Sequence, residues 1–167
     1  MKVGDPRDPQ TVVGPVIDRG AADRLETWIA EAAKGGARIL AGGRREGNVI
    51  PPTVISEASA DLKVSCQEVF GPVVTLGRYR EFKEAVKQAD NSDFGLQAGL
   101  FTHDIRLIQH AVENLHVGGL MVNESPTTRV DSMPYGGVKD SGIGREGPRF
   151  SMHEMSEPKL VLYNLNH

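Results

Sequence analysis

The sequence predicts an α/β protein built on an open, largely parallel twisted sheet flanked by helices. Three observations lead there. Short apolar runs alternate with longer stretches whose apolar residues recur at helical spacing, which implies parallel strand pairing. Glycine, proline and acidic turns punctuate the boundaries between them. The 167 residues also suffice for one domain with a real core, burying roughly two thirds of the unfolded surface.

The elements follow in order. The opening VGDPRDPQTVVGPVIDRG is too rich in proline and glycine for regular structure and reads as an irregular loop. Asp18 is placed to cap a helix over Arg19 to Lys34, with Ala22, Leu25, Ile29, Ala32 and Ala33 on one face and Gly35-Gly36 ending it. Ala37 to Leu40 reads as a strand closed by Gly42-Gly43. Val49 to Ile55 is a second extended segment, which Pro51-Pro52 should confine to an edge or an irregular course. After an acidic turn come a strand at Val73 to Leu76 and a helix over Glu81 to Ala89. Gly99 to Phe101 reads as a short buried strand. A helix over Asp104 to Leu115 is expected to turn Ile105, Ile108 and Val112 inward, and Gly118 to Asn123 supplies a further strand.

Composition narrows the function. Nineteen Lys and Arg against 22 Asp and Glu give a net charge of −3 with the signs interspersed, which argues against nucleic acid and anionic membrane as partners. The amino terminus carries no apolar segment after its lysine, and no run approaches the ~20 apolar residues of a membrane helix. One cysteine forms no internal disulfide, so a cytoplasmic setting is expected. His103, His110, His116, His153 and His167 lack zinc-ligand spacing, and no metal site is expected.

The segment MPYGGVKDSGIGREG contains Gly142-x-Gly144-x-x-Gly147, the spacing of a dinucleotide-binding turn. That motif requires a feeding strand, a following helix and a ribose-binding acid about 20 residues on. The flanking residues promise none of these. The glycines are therefore expected to permit positive φ and close backbone approach rather than to cradle a phosphate.

Four pieces in order, VGDPRDPQTVVGPVI, QEVFGPVV, GGLMVN and PYGGVKDSGIGREG, resemble the C-terminal part of the aldehyde dehydrogenase superfamily. The last is most similar to the branch holding lactaldehyde-type and non-phosphorylating glyceraldehyde-3-phosphate-type enzymes. The resemblance implies a partial catalytic domain over residues 1–158 and a C-terminal oligomerisation strand or tail over 159–167, which begins with KLVLYNL over 159–165. It also implies that the nucleophilic cysteine, the general base and most of the cofactor domain lie upstream. No catalytic residue is then expected in this chain, and Cys66 is expected to be a small buried or half-buried filler.

What this part supplies by resemblance is a cofactor contact and a pocket wall. Glu68 and Phe70 are expected to hold the nicotinamide ribose and ring of NAD or NADP. If Glu68 to Phe70 is extended, the two side chains point the same way, and one carboxylate can accept both hydroxyls of a ribose diol. Residues 123–135, NESPTTRVDSMPY, are expected to wall the aldehyde pocket, with Tyr135 at its mouth. Arg129 is placed either to pair with a phosphate or carboxylate on the aldehyde or to make a structural pair with Asp131. Arg145 and Glu157 match positions linked to subunit packing. The expected partners are a small aldehyde and further copies in a dimer or tetramer. A non-catalytic oligomerisation or regulatory module built from the same segment is the alternative.

Overall fold

The computed structural model describes residues 1–166. The chain divides into two compact units, Met1–Tyr79 and Arg80–His167.

The first unit opens with the expected loop, stitched by hydrogen bonds from Gly4 N to Val13 O (3.1 Å) and from Val16 N to Asn48 O (2.8 Å). Helix α1 (Arg19–Lys34) begins where Asp18 accepts from the Ala21 amide, satisfying one of the free donors of the first turn. It ends at Gly35, followed by Gly36 at φ 94°. Its buried side is Ala22, Leu25, Ile29 and Ala32, four of the five residues that periodicity selects.

Strands β1 (Arg38–Ala41), β2 (Thr53–Ser56) and β3 (Val73–Leu76) form one sheet in that order, β1 antiparallel and β3 parallel to β2. The proline pair therefore does not push its segment to the edge. Pro51 and Pro52 precede the strand, so neither is asked for a ladder hydrogen bond, and β2 runs through the centre. The buried Thr53 hydroxyl anchors this entry, accepting from Gly43 N and donating to Pro51 O, both at 2.9 Å. The one-turn helix α2 (Lys63–Cys66) follows β2. Leu25, Ile29, Ile50, Ile55 and Val64 form the core, with Trp28, Val69 and Val73 packed against it. Each such aliphatic side chain contributes about 1.5–3 kcal/mol on full burial.

The second unit holds helix α3 (Phe82–Asp90), strands β4 (Phe94–Gly95) and β5 (Gln97–Leu100), helix α4 (Ile105–Asn114), strands β6 (Gly119–Val122) and β7 (Val138–Lys139), and helix α5 (Pro148–Glu154). β5 and β6 pair in parallel with α4 between them, a βαβ crossover, while β4 and β7 pair antiparallel over two residues. The parallel component thus resides in the β2–β3 and β5–β6 pairs, within three small sheets. Asp104 caps α4 by accepting from Arg106 N. The face assigned to α4 is rotated: Ile105 and Val112 are exposed at 70% and 57%, and Ala111 is the buried residue. His110 meets the Phe82 ring edge-on, with centroids 6.1 Å apart, joining α4 to α3. Residues 156–166 take no regular structure, so KLVLYNL is not a strand among the described residues; His167 lies outside them.

Candidate functional site

The turn between α2 and β3 presents Glu68 and Phe70. Val69 packs on the core, and its two neighbours are exposed, Phe70 at 70%. The expected extended geometry does not hold through Phe70, whose φ is 49°. The reason lies one residue on: a Cβ on Gly71 would stand 2.6 Å from Cδ1 of the buried Leu25. The chain presses against α1 there and must turn sharply to enter β3. A bulky side chain in the left-handed region costs roughly 1–2 kcal/mol, and such residues cluster at functional sites. Among the described residues Glu68 makes no ion pair and Phe70 is largely exposed, so this turn leaves a carboxylate and an aromatic face open to solvent. A carboxylate that can accept from a ribose diol and an exposed ring are groups that would suit the ribose and nicotinamide of a dinucleotide.

Cys66, at the end of α2, is exposed rather than buried, because the single turn of α2 turns Val64 to the core. Its Sγ donates to Asp61 O at 3.6 Å, and among the described residues no histidine or carboxylate is bonded to it to activate the thiol.

In the second unit the segment expected to wall the aldehyde pocket leaves β6 at Asn123, which sits at φ 57°. Its side-chain amide donates to Thr102 O (3.0 Å) and accepts from Thr102 N (2.9 Å), adding a rung beyond the β5–β6 ladder. Further along, the Arg129 guanidinium lies over the Tyr135 ring, 4.1 Å from its centroid, and donates from Nη2 to Glu146 Oε2 at 2.9 Å. The structure thus brings Arg129 and Tyr135 together, and the carboxylate partner is Glu146, not Asp131. Arg129 remains 43% exposed, with most of its five donors uncommitted among the described residues.

The glycine loop is closed at its base by Tyr135 and Glu146, whose amides and carbonyls exchange hydrogen bonds of 3.1 and 2.6 Å. Gly142, Gly144 and Gly147 have φ of 124°, 78° and 118°, the conformational role expected of them. A helix does follow, against expectation: α5 starts at Pro148, where proline's fixed φ and missing N–H suit a first helical position. The seven-residue helix does not make a phosphate cradle, because the Glu154 carboxylate stands 3.2 Å from where a Gly144 Cβ would be and repels an anion. Arg145 is structural, donating to Gly137 O (2.9 Å) and Gly144 O (2.6 Å), while Glu157 is exposed and not paired with it.

Sequence reading missed the charged cluster behind this loop. Asp90, at the end of α3, accepts from His116 N (2.7 Å), His116 Nδ1 (3.0 Å) and Lys139 Nζ (3.0 Å). The His116 amide, then its ring, then the Lys139 ammonium hold the Asp90 carboxyl far below the usual carboxylate range. The partners lie 26 and 49 residues away, so no local pattern announces them. Among the described residues no group of three histidines, cysteines or carboxylates converges as a metal site, and no helix is long and apolar enough to cross a membrane.

Comparison with known proteins agrees with the motifs. The Aldehyde dehydrogenase family profile matches residues 1–161. The 3-sulfolactaldehyde dehydrogenase of Priestia aryabhattai is 47% identical over 165 residues, covering 99% of this chain and 35% of the relative. The crystal structure of aldehyde dehydrogenase 21 from Physcomitrella patens, in complex with the reaction product succinate, superposes with a TM-score of 0.95 at 46% identity, over 99% of this chain and 35% of that one. Glyceraldehyde-3-phosphate dehydrogenase from Methanocaldococcus jannaschii, complexed with NADP, gives a TM-score of 0.88 at 38% identity, over 94% of this chain and 34% of that one. The chain belongs to the aldehyde dehydrogenase family and has the α/β fold of part of its catalytic domain. It spans about a third of the length of the relatives it matches.

Proposed function

We propose that this chain is the C-terminal part of an NAD(P)-dependent aldehyde dehydrogenase that oxidises a short aldehyde with an anionic tail to the acid. When bound, NAD or NADP supplies the hydride acceptor. Glu68 accepts the hydroxyls of its nicotinamide ribose, and Phe70 packs against the ring to limit where the reactive carbon sits. The thiol nucleophile and general base come from the remainder of the enzyme, and the isolated 167-residue chain is inactive, in keeping with the unactivated Cys66. Copies assemble into a dimer or tetramer with the help of the C-terminal tail.

The observation that carries the substrate class is Arg129. Its stacking on Tyr135 and its single Glu146 partner fix the plane of the guanidinium and leave donors facing outward, where they match the paired oxygens of a carboxylate, phosphate or sulfonate. Some relatives act on, or are solved with, compounds carrying such groups, 3-sulfolactaldehyde, succinate and glyceraldehyde 3-phosphate, whereas others are lactaldehyde dehydrogenases, whose aldehyde carries none.

The test compares succinate semialdehyde with butanal, four-carbon aldehydes with and without a terminal carboxylate, in the full-length enzyme. Arg129→Leu should lower kcat/KM about 10- to 100-fold for the former, the worth of a charge-assisted hydrogen bond, and leave butanal nearly unchanged. Equal losses on both would remove Arg129 from anion recognition. A wild-type enzyme that oxidises neither aldehyde with NAD or NADP would sink the larger reading.

A further inference from the structure

The wall segment has two roots, and one carboxylate holds both. Asp90 is the last residue of α3, where the helix dipole disfavours negative charge, so its position calls for compensation from elsewhere. That compensation comes from His116, three residues before β6, and from Lys139, the last residue of β7. Residues 123–135 run between those two strands. Lys139 Nζ reaches both Asp90 Oδ1 (3.0 Å) and the Asp90 carbonyl (2.6 Å), and does so from a left-handed backbone at φ 54°. A lysine held there is over-determined by its surroundings.

The neck between the roots is tight. A Cβ on Gly118 would fall 1.6 Å from Gly136 O, so the incoming and outgoing chains touch backbone to backbone. Ladder bonding is slight on the outgoing side, because β4 and β7 pair over only two residues, too few to hold a segment alone. The Asp90 and Lys139 side chains are 24% and 26% exposed, against 70% for His116, so the pair with Lys139 is the less screened of the two.

We infer that Asp90 is a positioning residue for the pocket wall: by clasping His116 and Lys139 it fixes both ends of residues 123–135, and so the place at which Arg129 meets the aldehyde tail. The inference rests on the proposed role of that wall, but the clasp has a readout independent of catalysis. In the full-length protein, Asp90→Asn keeps an acceptor for the His116 amide and loses the charge that draws Lys139. Amide hydrogen exchange across 117–138 should then speed up about tenfold while α1 is unchanged. Unchanged exchange there overturns the clasp whether or not the enzyme is active.

With activity, the ratio of kcat/KM for succinate semialdehyde to that for butanal should fall about tenfold, since small misplacements of binding groups are costly. The affinity for NAD or NADP should stay the same. A purely structural role would lower both aldehydes equally, and that outcome overturns the positioning role even if the Arg129 test succeeds. Should Asp90→Asn fail to fold, Lys139→Met, which leaves the His116 bonds intact, is read by the same two measurements. Lys139→Arg must then restore the wild-type values.

Discussion

At the scale of single residues, Phe70 separates stability from activity. Its ring is largely exposed, so little packing is lost on removing it, while its left-handed φ opposes any side chain that does not tolerate that region. Asparagine tolerates it. Phe70→Asn should therefore raise the stability of the chain by up to about 1 kcal/mol, measured by urea unfolding, while the full-length enzyme slows in single-turnover cofactor reduction. A loss of stability would show that the ring packs more than its exposure indicates. Sequence pointed to Glu68 and Phe70 through the surrounding QEVFGPVV motif, but not to the geometry that displays them. Extended alternation was the natural expectation, and the turn is forced by Leu25, some 45 residues earlier in the chain. Glu146 escaped for the same reason: Arg129 had a nearer candidate in Asp131, and the choice between them is made by the Tyr135–Glu146 bridge.

At the scale of elements, local signals were the legible ones. Helix α1 was readable because cap, periodicity and Gly-Gly stop all lie within its own stretch. β4 and β7 were not, since two-residue strands owe their existence to a partner more than 40 residues away. The rotated face of α4 shows the intermediate case, where the helix is local but its packing is not. Its cap gives a pH prediction. The Arg106 side chain, then the Arg106 amide, hold the Asp104 carboxyl down at about 2. A carboxylate with a lowered folded-state pKa stabilises fully above its unfolded value near 4, and that stabilisation disappears as pH falls toward about 2. Asp104→Asn keeps a side-chain acceptor and abolishes the titration. Melting temperatures of wild type and variant, recorded by circular dichroism, should lie apart at pH 5, and the gap should narrow as pH falls from about 4 toward about 2 and close only below it. A constant gap would mean the carboxylate charge does not support α4.

At the scale of the whole molecule, the tail stands out. Leu160, Leu162, Tyr163 and Leu165 are each at least 80% exposed and none lies in a strand, an arrangement that leaves apolar side chains and backbone groups available to another chain. Deleting residues 159–167 from the full-length enzyme should shift its mass by light scattering from a dimer or tetramer to smaller species. An unchanged mass would assign assembly to other surfaces. The pinched neck at Gly118 and Gly136 bears on the enzyme's history as well as its chemistry. Because entry and exit touch, residues 123–135, which lie between β6 and the neck, can lengthen, shorten or change without disturbing the strands. On the proposed reading of residues 123–135 as a wall of the aldehyde pocket, the segment would be an exchangeable cassette, and grafting it between relatives a route by which one scaffold acquires a new aldehyde.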